Sequence, residues 1–292
     1  MPTKAEKELF QGKPTTGHEW DGIQELDTPL PKWWVYVLYA CIAWAVVYFI
    51  LYPSVPYFTG YFKGVLGWDS RTEVAQKIGE AKRAQSRYLD RIKTQSTDEI
   101  RREPDLLNFA LAGGKAAFAD NCVPCHQAGG AGHVGFFPNL ADDIWIWGGK
   151  LADIEQTIRF GIRSGHEKAR MNVMPNFGVD GTLKPAQIDD VAEYVLSLTG
   201  RANDPAAVER GAKIYAESDK CIACHGEKGV GYATPGAPPL NTRIFLYGGN
   251  KADIVRQVTK PQLGVMPAWT GRLDDETIKM LALYVHSLGG GK

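Results

Sequence analysis

The chain has 292 residues, more than one domain normally needs, with Lys+Arg and Asp+Glu both 33 and a formal net charge of +0. That balance removes the electrostatic case for a nucleic-acid partner, which needs a basic excess. Hydrophobic residues make up 44% and aromatics 11%, enough for packed cores, while five cysteines are too few for a disulfide scaffold.

Residues 1–32 are polar and read as an irregular segment. Trp33 to Tyr52 then runs for twenty apolar and aromatic residues, and no charge or histidine occurs between Lys32 and Lys63. Twenty helical residues span roughly 30 Å, the hydrocarbon thickness of a bilayer. Trp33, Trp34 and Tyr36 at one end and Tyr52, Tyr57 and Tyr61 at or beyond the other have the distribution of interfacial belts. A soluble core helix would carry a polar face, and a signal peptide a shorter core with a small-residue cleavage site. The segment reads as a single-pass anchor bound to membrane lipid, with Cys41 inside it as a small apolar residue. Flanking charge leaves the orientation tied, Lys13 and Lys32 against Lys63 and Arg71.

Residues 53–103 read as a juxtamembrane helical spacer. Ser70 and Glu73 have the spacing of a capping box opening a helix to about Lys93, with Val74, Ile78, Ala81, Tyr88 and Ile92 at helical intervals.

From about Pro104 the chain repeats itself. CVPCH at 122–126 returns as CIACH at 221–225, and PNL at 138–140 is echoed by PPL at 238–240. WGGKLADI at 147–154 returns as YGGNKADI at 247–254, Met174-Pro175 as Met266-Pro267, and EYVLSL at 193–198 as LYVHSL at 283–288. Gly114 and Phe118 precede the first cysteine motif as Gly211 and Tyr215 precede the second. The first copy carries extra residues around GIRSGHEKARMN. Two mostly helical copies follow, 104–200 and 201–292, joined by a linker in which Asp204 and Pro205 are placed to cap and start a helix.

CxxC serves redox dithiols, zinc and covalent haem. The βαβ setting of a thioredoxin-like dithiol is missing. A zinc site shared by the four cysteines would join residues that lie in separate, internally complete copies. Cys122, Cys125 and His126, and again Cys221, Cys224 and His225, have the spacing in which two thioethers tether a haem and the adjacent histidine ligates iron. A sixth ligand of thioether type favours the ferrous state and raises the potential, which suits electron transfer. Met174 and Met266, 52 and 45 residues after the first cysteine of each motif, are the repeated candidates. Proline after each stiffens the loop that carries the sulfur. Met171, without a counterpart, and Met280 on the closing helix read as core filler, with Met171 kept as an alternative to Met174. Loop closure favours a methionine from the same repeat, but adjoining duplicated domains can exchange ligands, so the pairing stays open. His18, His133, His166 and His286 lack repeated partners and read as ordinary. Trp145, Trp147, Tyr247 and Trp269 read equally as haem-pocket lining or core.

The lead WDGIQELDTPLPKWW, the single anchor and the two CxxCH copies together resemble the dihaem subunit (subunit III, CcoP or FixP) of cbb3-type cytochrome c oxidases over nearly the whole chain. The resemblance implies a mainly α protein with one N-terminal transmembrane helix and two tandem class I cytochrome c domains. It implies two covalent c-type haems, each iron held by His and Met: His126, Met174, His225 and Met266. It also implies electron flow from a soluble cytochrome c, through the two haems of this chain and then a monohaem cytochrome c subunit, to a catalytic subunit with b-type haem and copper. The chain itself then needs no acid, base or nucleophile. Haem attachment to CxxCH takes place outside the bacterial cytoplasmic membrane, so the N-terminus is expected in the cytoplasm and the haem domains in the periplasm. A free-standing membrane-anchored dihaem carrier is the alternative. A dihaem peroxidase or small-ligand sensor would need an open sixth position, against which two matched Met-Pro loops argue.

Overall fold

The computed structural model describes residues 3, 4 and 6–290 and divides into two compact units, 1–84 and 85–292.

In the first unit, the stretch expected to be irregular is a small antiparallel sheet. Strand β3 (Lys13–Trp20) pairs with β1 (Thr3–Lys4), β2 (Leu9–Phe10) and β4 (Ile23–Leu26). Gln11-Gly12 and Asp21-Gly22 turn its hairpins, both residues of each pair having positive φ. Two-residue loops of that kind match the twist of the flanking strands. Asp21-Gly22 between Trp20 and Ile23 was the local signal; the polar composition around it masked the strands. Helix α1 (Lys32–Leu51) follows, with no residue buried against the rest of the chain, unlike a soluble core helix. Beyond it, a short hairpin of β5 (Pro56–Tyr57) and β6 (Gly60–Tyr61) opens the segment read as a helical spacer. The chain then returns to the helix end, where Val65 N–H donates to Ile50 O (2.9 Å) and Leu66 N–H to Leu51 O (3.1 Å). Tyr48 stacks on Tyr52, and Tyr52 meets Trp68 edge-on, which clusters aromatic rings at that end of the apolar helix.

Helix α2 (Ser70–Thr94) does start at Ser70, but not through the expected Ser70–Glu73 box. Asp69, one residue earlier, accepts from Thr72 N–H at 2.8 Å, and Glu73 is engaged by Trp68 Nε1 and Lys77. The reciprocal box occurs at the next helix, α3 (Thr97–Arg102), between Ser96 and Glu99. In the second unit the end of α2 is anchored by Ile92, which is fully buried with Ile100, Leu106, Ala110, Leu151, Met280 and Leu283.

The remaining helices are α4 (Pro104–Asn121), α5 (Val123–His126), α6 (Leu151–Phe160), α7 (Pro185–Ser197), α8 (Pro205–Tyr215), α9 (Ile222–His225), α10 (Lys251–Thr259) and α11 (Asp275–Ser287). Their packing crosses the sequence repeats. Helix α4 of the first copy lies against α11 of the second, which also packs on α6. Helix α8 of the second copy lies against α7 of the first, which also packs on α10. At both crossings a glycine lets the backbones touch. A Cβ on Gly114 would overlap the carbonyl of Met280, and one on Gly211 the carbonyl of Asp190. The repeated aromatics complete each crossing: Phe118 lies 5.3 Å from Tyr284, and Tyr215 lies 4.8 Å from Tyr194. The copies 104–200 and 201–292 therefore do not each close on themselves. They exchange their closing helices.

Candidate haem sites

The first CxxCH begins directly where α4 ends, and the second follows the end of α8 after five intervening residues. Cys122 and Cys125 flank the start of the one-turn helix α5 with His126 as its last residue; Cys221, Cys224 and His225 stand likewise about α9. The following residue, Gln127 or Gly226, takes a positive φ and turns the chain away. The loop returns so that Leu140 N–H donates to Gly130 O and Leu240 N–H to Gly229 O, both at 2.7 Å.

This return explains the PNL and PPL echoes. Nδ1 of His126 lies 3.1 Å from Pro138 O, and Nδ1 of His225 lies 2.9 Å from Pro238 O. A carbonyl only accepts, so Nδ1 carries the proton and the Nε2 lone pair is left for a metal. Burial holds both imidazoles below the ordinary histidine range, against the weaker opposing pull of the carbonyl. Burial also pushes the Cys122 and Cys221 thiols up to about 11. A redox dithiol needs the reverse, a thiolate favoured by its surroundings. Among the described residues no three His, Cys, Asp or Glu side chains form a metal-binding group, so the four cysteines are not gathered into one zinc site.

The methionines sit crosswise. Met266, with Trp145, Trp269, Leu140 and Cys122, packs against the buried cluster of Phe118, Ile154, Ile158 and Leu281. Met174, with Leu240, Ile222 and Tyr194, packs against the cluster that contains Cys221, Tyr215, Val191 and Ile254. Each motif thus shares its core with the Met-Pro loop of the other copy, as the exchange of closing helices requires. Backbone bonds fix the same crossing: Trp269 N–H donates to Ile158 O (3.3 Å), and Gly178 N–H to Thr259 O (3.3 Å).

Met171 is 60% exposed, so it is not the core filler expected of it; Met280 is buried. Trp145 and Trp269 belong to the first cluster. Trp147 instead covers Gly236 in the loop after the second motif, with Arg170 over its ring, and the Tyr247 hydroxyl accepts from Gly264 N–H at 2.9 Å. His166 stacks on Phe160 and accepts from Lys168 N–H, and His133 lies 5.1 Å from Phe136.

The donor set fits a c-type haem: two thiols at fixed spacing, an imidazole with its tautomer set, and a thioether in the same core. Residues 12–59 match the family model for the N-terminal domain of cytochrome oxidase-cbb3, FixP. Residues 111–199 match cytochrome c, and residues 206–285 match cytochrome c oxidase, cbb3-type, subunit III. A cbb3-type cytochrome c oxidase subunit CcoP of Azospirillum brasilense is 52% identical over 98% of this chain and 99% of its own length. The chain belongs to the CcoP/FixP family. Two further members are similar along their whole length. A subunit FixP of Bradyrhizobium sp. (strain ORS 278) is 48% identical and a subunit CcoP of Cereibacter sphaeroides 43% identical, each over 100% of both chains. This CcoP/FixP-type chain is a mostly helical protein with two cytochrome c repeats and, among the described residues, one helix near its N-terminus long and apolar enough to cross a membrane.

Proposed function

We propose that the chain is the membrane-anchored dihaem subunit of a cbb3-type oxidase, carrying electrons from a soluble cytochrome c toward the catalytic core in aerobic or microaerobic respiration. The supporting observation is the pair of cores in which a carbonyl-anchored CxxCH histidine and a Met-Pro loop meet. Cys122 and Cys125 would hold one haem by thioethers, with His126 and Met266 as axial ligands. Cys221 and Cys224 would hold the other, with His225 and Met174. Bound haem supplies reversible one-electron chemistry without covalent change in the substrate. The chain's part is to present imidazole Nε2 by fixing Nδ1, to supply a soft sulfur that raises the potential, and to exclude water with the Phe118–Tyr284 and Tyr194–Tyr215 cores.

The anchor holds the subunit in the bacterial inner membrane, with residues before α1 in the cytoplasm and both haem sites in the periplasm, where CxxCH is loaded. Its partners there are the monohaem cytochrome c subunit and the catalytic subunit with b-type haem and copper. Purification in mild detergent tests this reading. Co-purifying c-type and b-type haem, with oxygen uptake driven by reduced cytochrome c, is expected. A preparation with c-type haem alone and no oxygen uptake would establish a free-standing carrier instead.

A further inference from the structure

Thirteen residues separate Phe160 from Met174 in the first copy where five separate Lys260 from Met266 in the second, and the longer stretch, around GIRSGHEKAR at 161–170, contacts both Met-Pro loops. Ile162 exchanges both main-chain hydrogen bonds with Met266, each 3.0 Å. Arg163 follows in the left-handed region at φ 51°, a conformation a residue with a β-carbon adopts at a cost. It is held there by Arg163 N–H to Arg170 O and Arg170 N–H to Gly161 O, both 2.9 Å.

That backbone sends the half-buried guanidinium between the two loops. Nε donates to Gly264 O at 2.7 Å, and Nη1 donates to Asn172 Oδ1 at 2.7 Å. Gly264 is two residues before Met266, and Asn172 is two residues before Met174. The contacts continue outward on both sides. Gly264 N–H donates to the Tyr247 hydroxyl, and Asn172 Nδ2 donates to Gly236 O, two residues before the Pro238 that anchors His225. A planar fork reaches two acceptors in fixed directions; an ammonium is a point charge on a flexible stem.

We propose that Arg163 is a positioning residue that clasps both axial-methionine loops, so that the sulfur positions at the two haems are set jointly. The inference rests on Met174 and Met266 being iron ligands. A thioether is a weak ligand, so its occupancy depends on the loop that presents it. Removing the guanidinium leaves Gly264 O and Asn172 Oδ1 without this donor and releases both loops at once.

The test uses the full-length, haem-loaded protein with R163A, R163K and N172A. The readouts are the sulfur-to-iron(III) charge-transfer absorption, the midpoint potentials of both haems, covalent haem content and thermal stability. R163A is expected to weaken the absorption of both haems and lower both potentials, and R163K to do so by less. N172A keeps the bond to Gly264 and is expected to move chiefly the haem ligated by Met174. Unchanged potentials in R163A despite lost stability would reduce Arg163 to a structural staple, and a shift at one haem only would overturn the joint setting. Where R163A does not load both haems, R163K decides, and unchanged potentials in R163K overturn the proposal. Absence of the sulfur absorption in the parent protein would instead refute the ligand assignment itself.

Discussion

Gly211 lies with its Cα against the main-chain carbonyl of Asp190, a residue of the other sequence copy, and no side chain fits between them. The same relationship joins Gly114 to Met280, so the two crossings are pseudo-symmetric. Alanine is favoured over glycine inside a helix by about 1 kcal/mol. Here the obstacle is packed backbone, which yields only at about 1–3 kcal/mol. G114A and G211A are therefore each expected to destabilise the second unit, by up to about 2 kcal/mol net. Urea denaturation of each variant checks this. Stability equal to or above the parent would mean that propensity outweighs the crossing.

Glu193 is 2% exposed, the most enclosed acid of the second unit among the buried polar residues described. Lys251 Nζ stands 2.9 Å from it, and it accepts from Asn203 N–H (2.9 Å) and Asp204 N–H (3.4 Å). Lys251 first, then the Asn203 N–H, hold its carboxyl below the ordinary glutamate range. A depressed folded value stabilises the protein above the unfolded value of about 4.3, and that stabilisation is lost as pH falls through the folded value. E193Q is expected to lose on the order of 2 kcal/mol at neutral pH, with a shallower loss of stability on acidification. Denaturation midpoints of parent and variant across an acid pH series check both effects.

Lys279 on α11 donates to three carbonyls at the end of α2: Ile92 O (3.0 Å), Lys93 O (2.9 Å) and Gln95 O (2.7 Å). A cation there satisfies carbonyls that the helix leaves unpaired and complements its dipole. K279M keeps the stem and removes the donors. It is expected to cost about 1.5–3 kcal/mol, felt as faster amide exchange at the end of α2 and through α3, with haem spectra unchanged. Exchange rates that stay at parental values would leave the cap without energetic weight.

The repeats carried most of the fold. Gly114 with Phe118 and Gly211 with Tyr215 are visible in the sequence as a repeated pair, though not as helix crossings, and the Met-Pro echo marks Met174 and Met266. Periodicity within each helix does not say which helix it packs on, so the exchange of α7 and α11 was hidden. Loop entropy favoured pairing within a copy; in the folded chain the glycine crossings bring together helices from different copies. PNL and PPL were visible as a repeat, but their role as acceptors for His126 and His225 depends on a carbonyl, which every residue possesses. Arg163 was invisible for the opposite reason: it is unrepeated, and its partners are a glycine and an asparagine.

The crosswise pairing of methionines with the two CxxCH motifs is the central claim, and it is tested most directly by tagging one haem. Cys125 is exposed, and C125A would leave the first haem with one thioether and one vinyl group, shifting its absorption away from that of the second. In this background, M174H and M266H are each titrated by potential while both absorptions are followed. The account predicts that M266H lowers the potential of the tagged haem and leaves the other in place, and that M174H does the reverse. A tagged haem whose potential falls with M174H and stays fixed with M266H would contradict it.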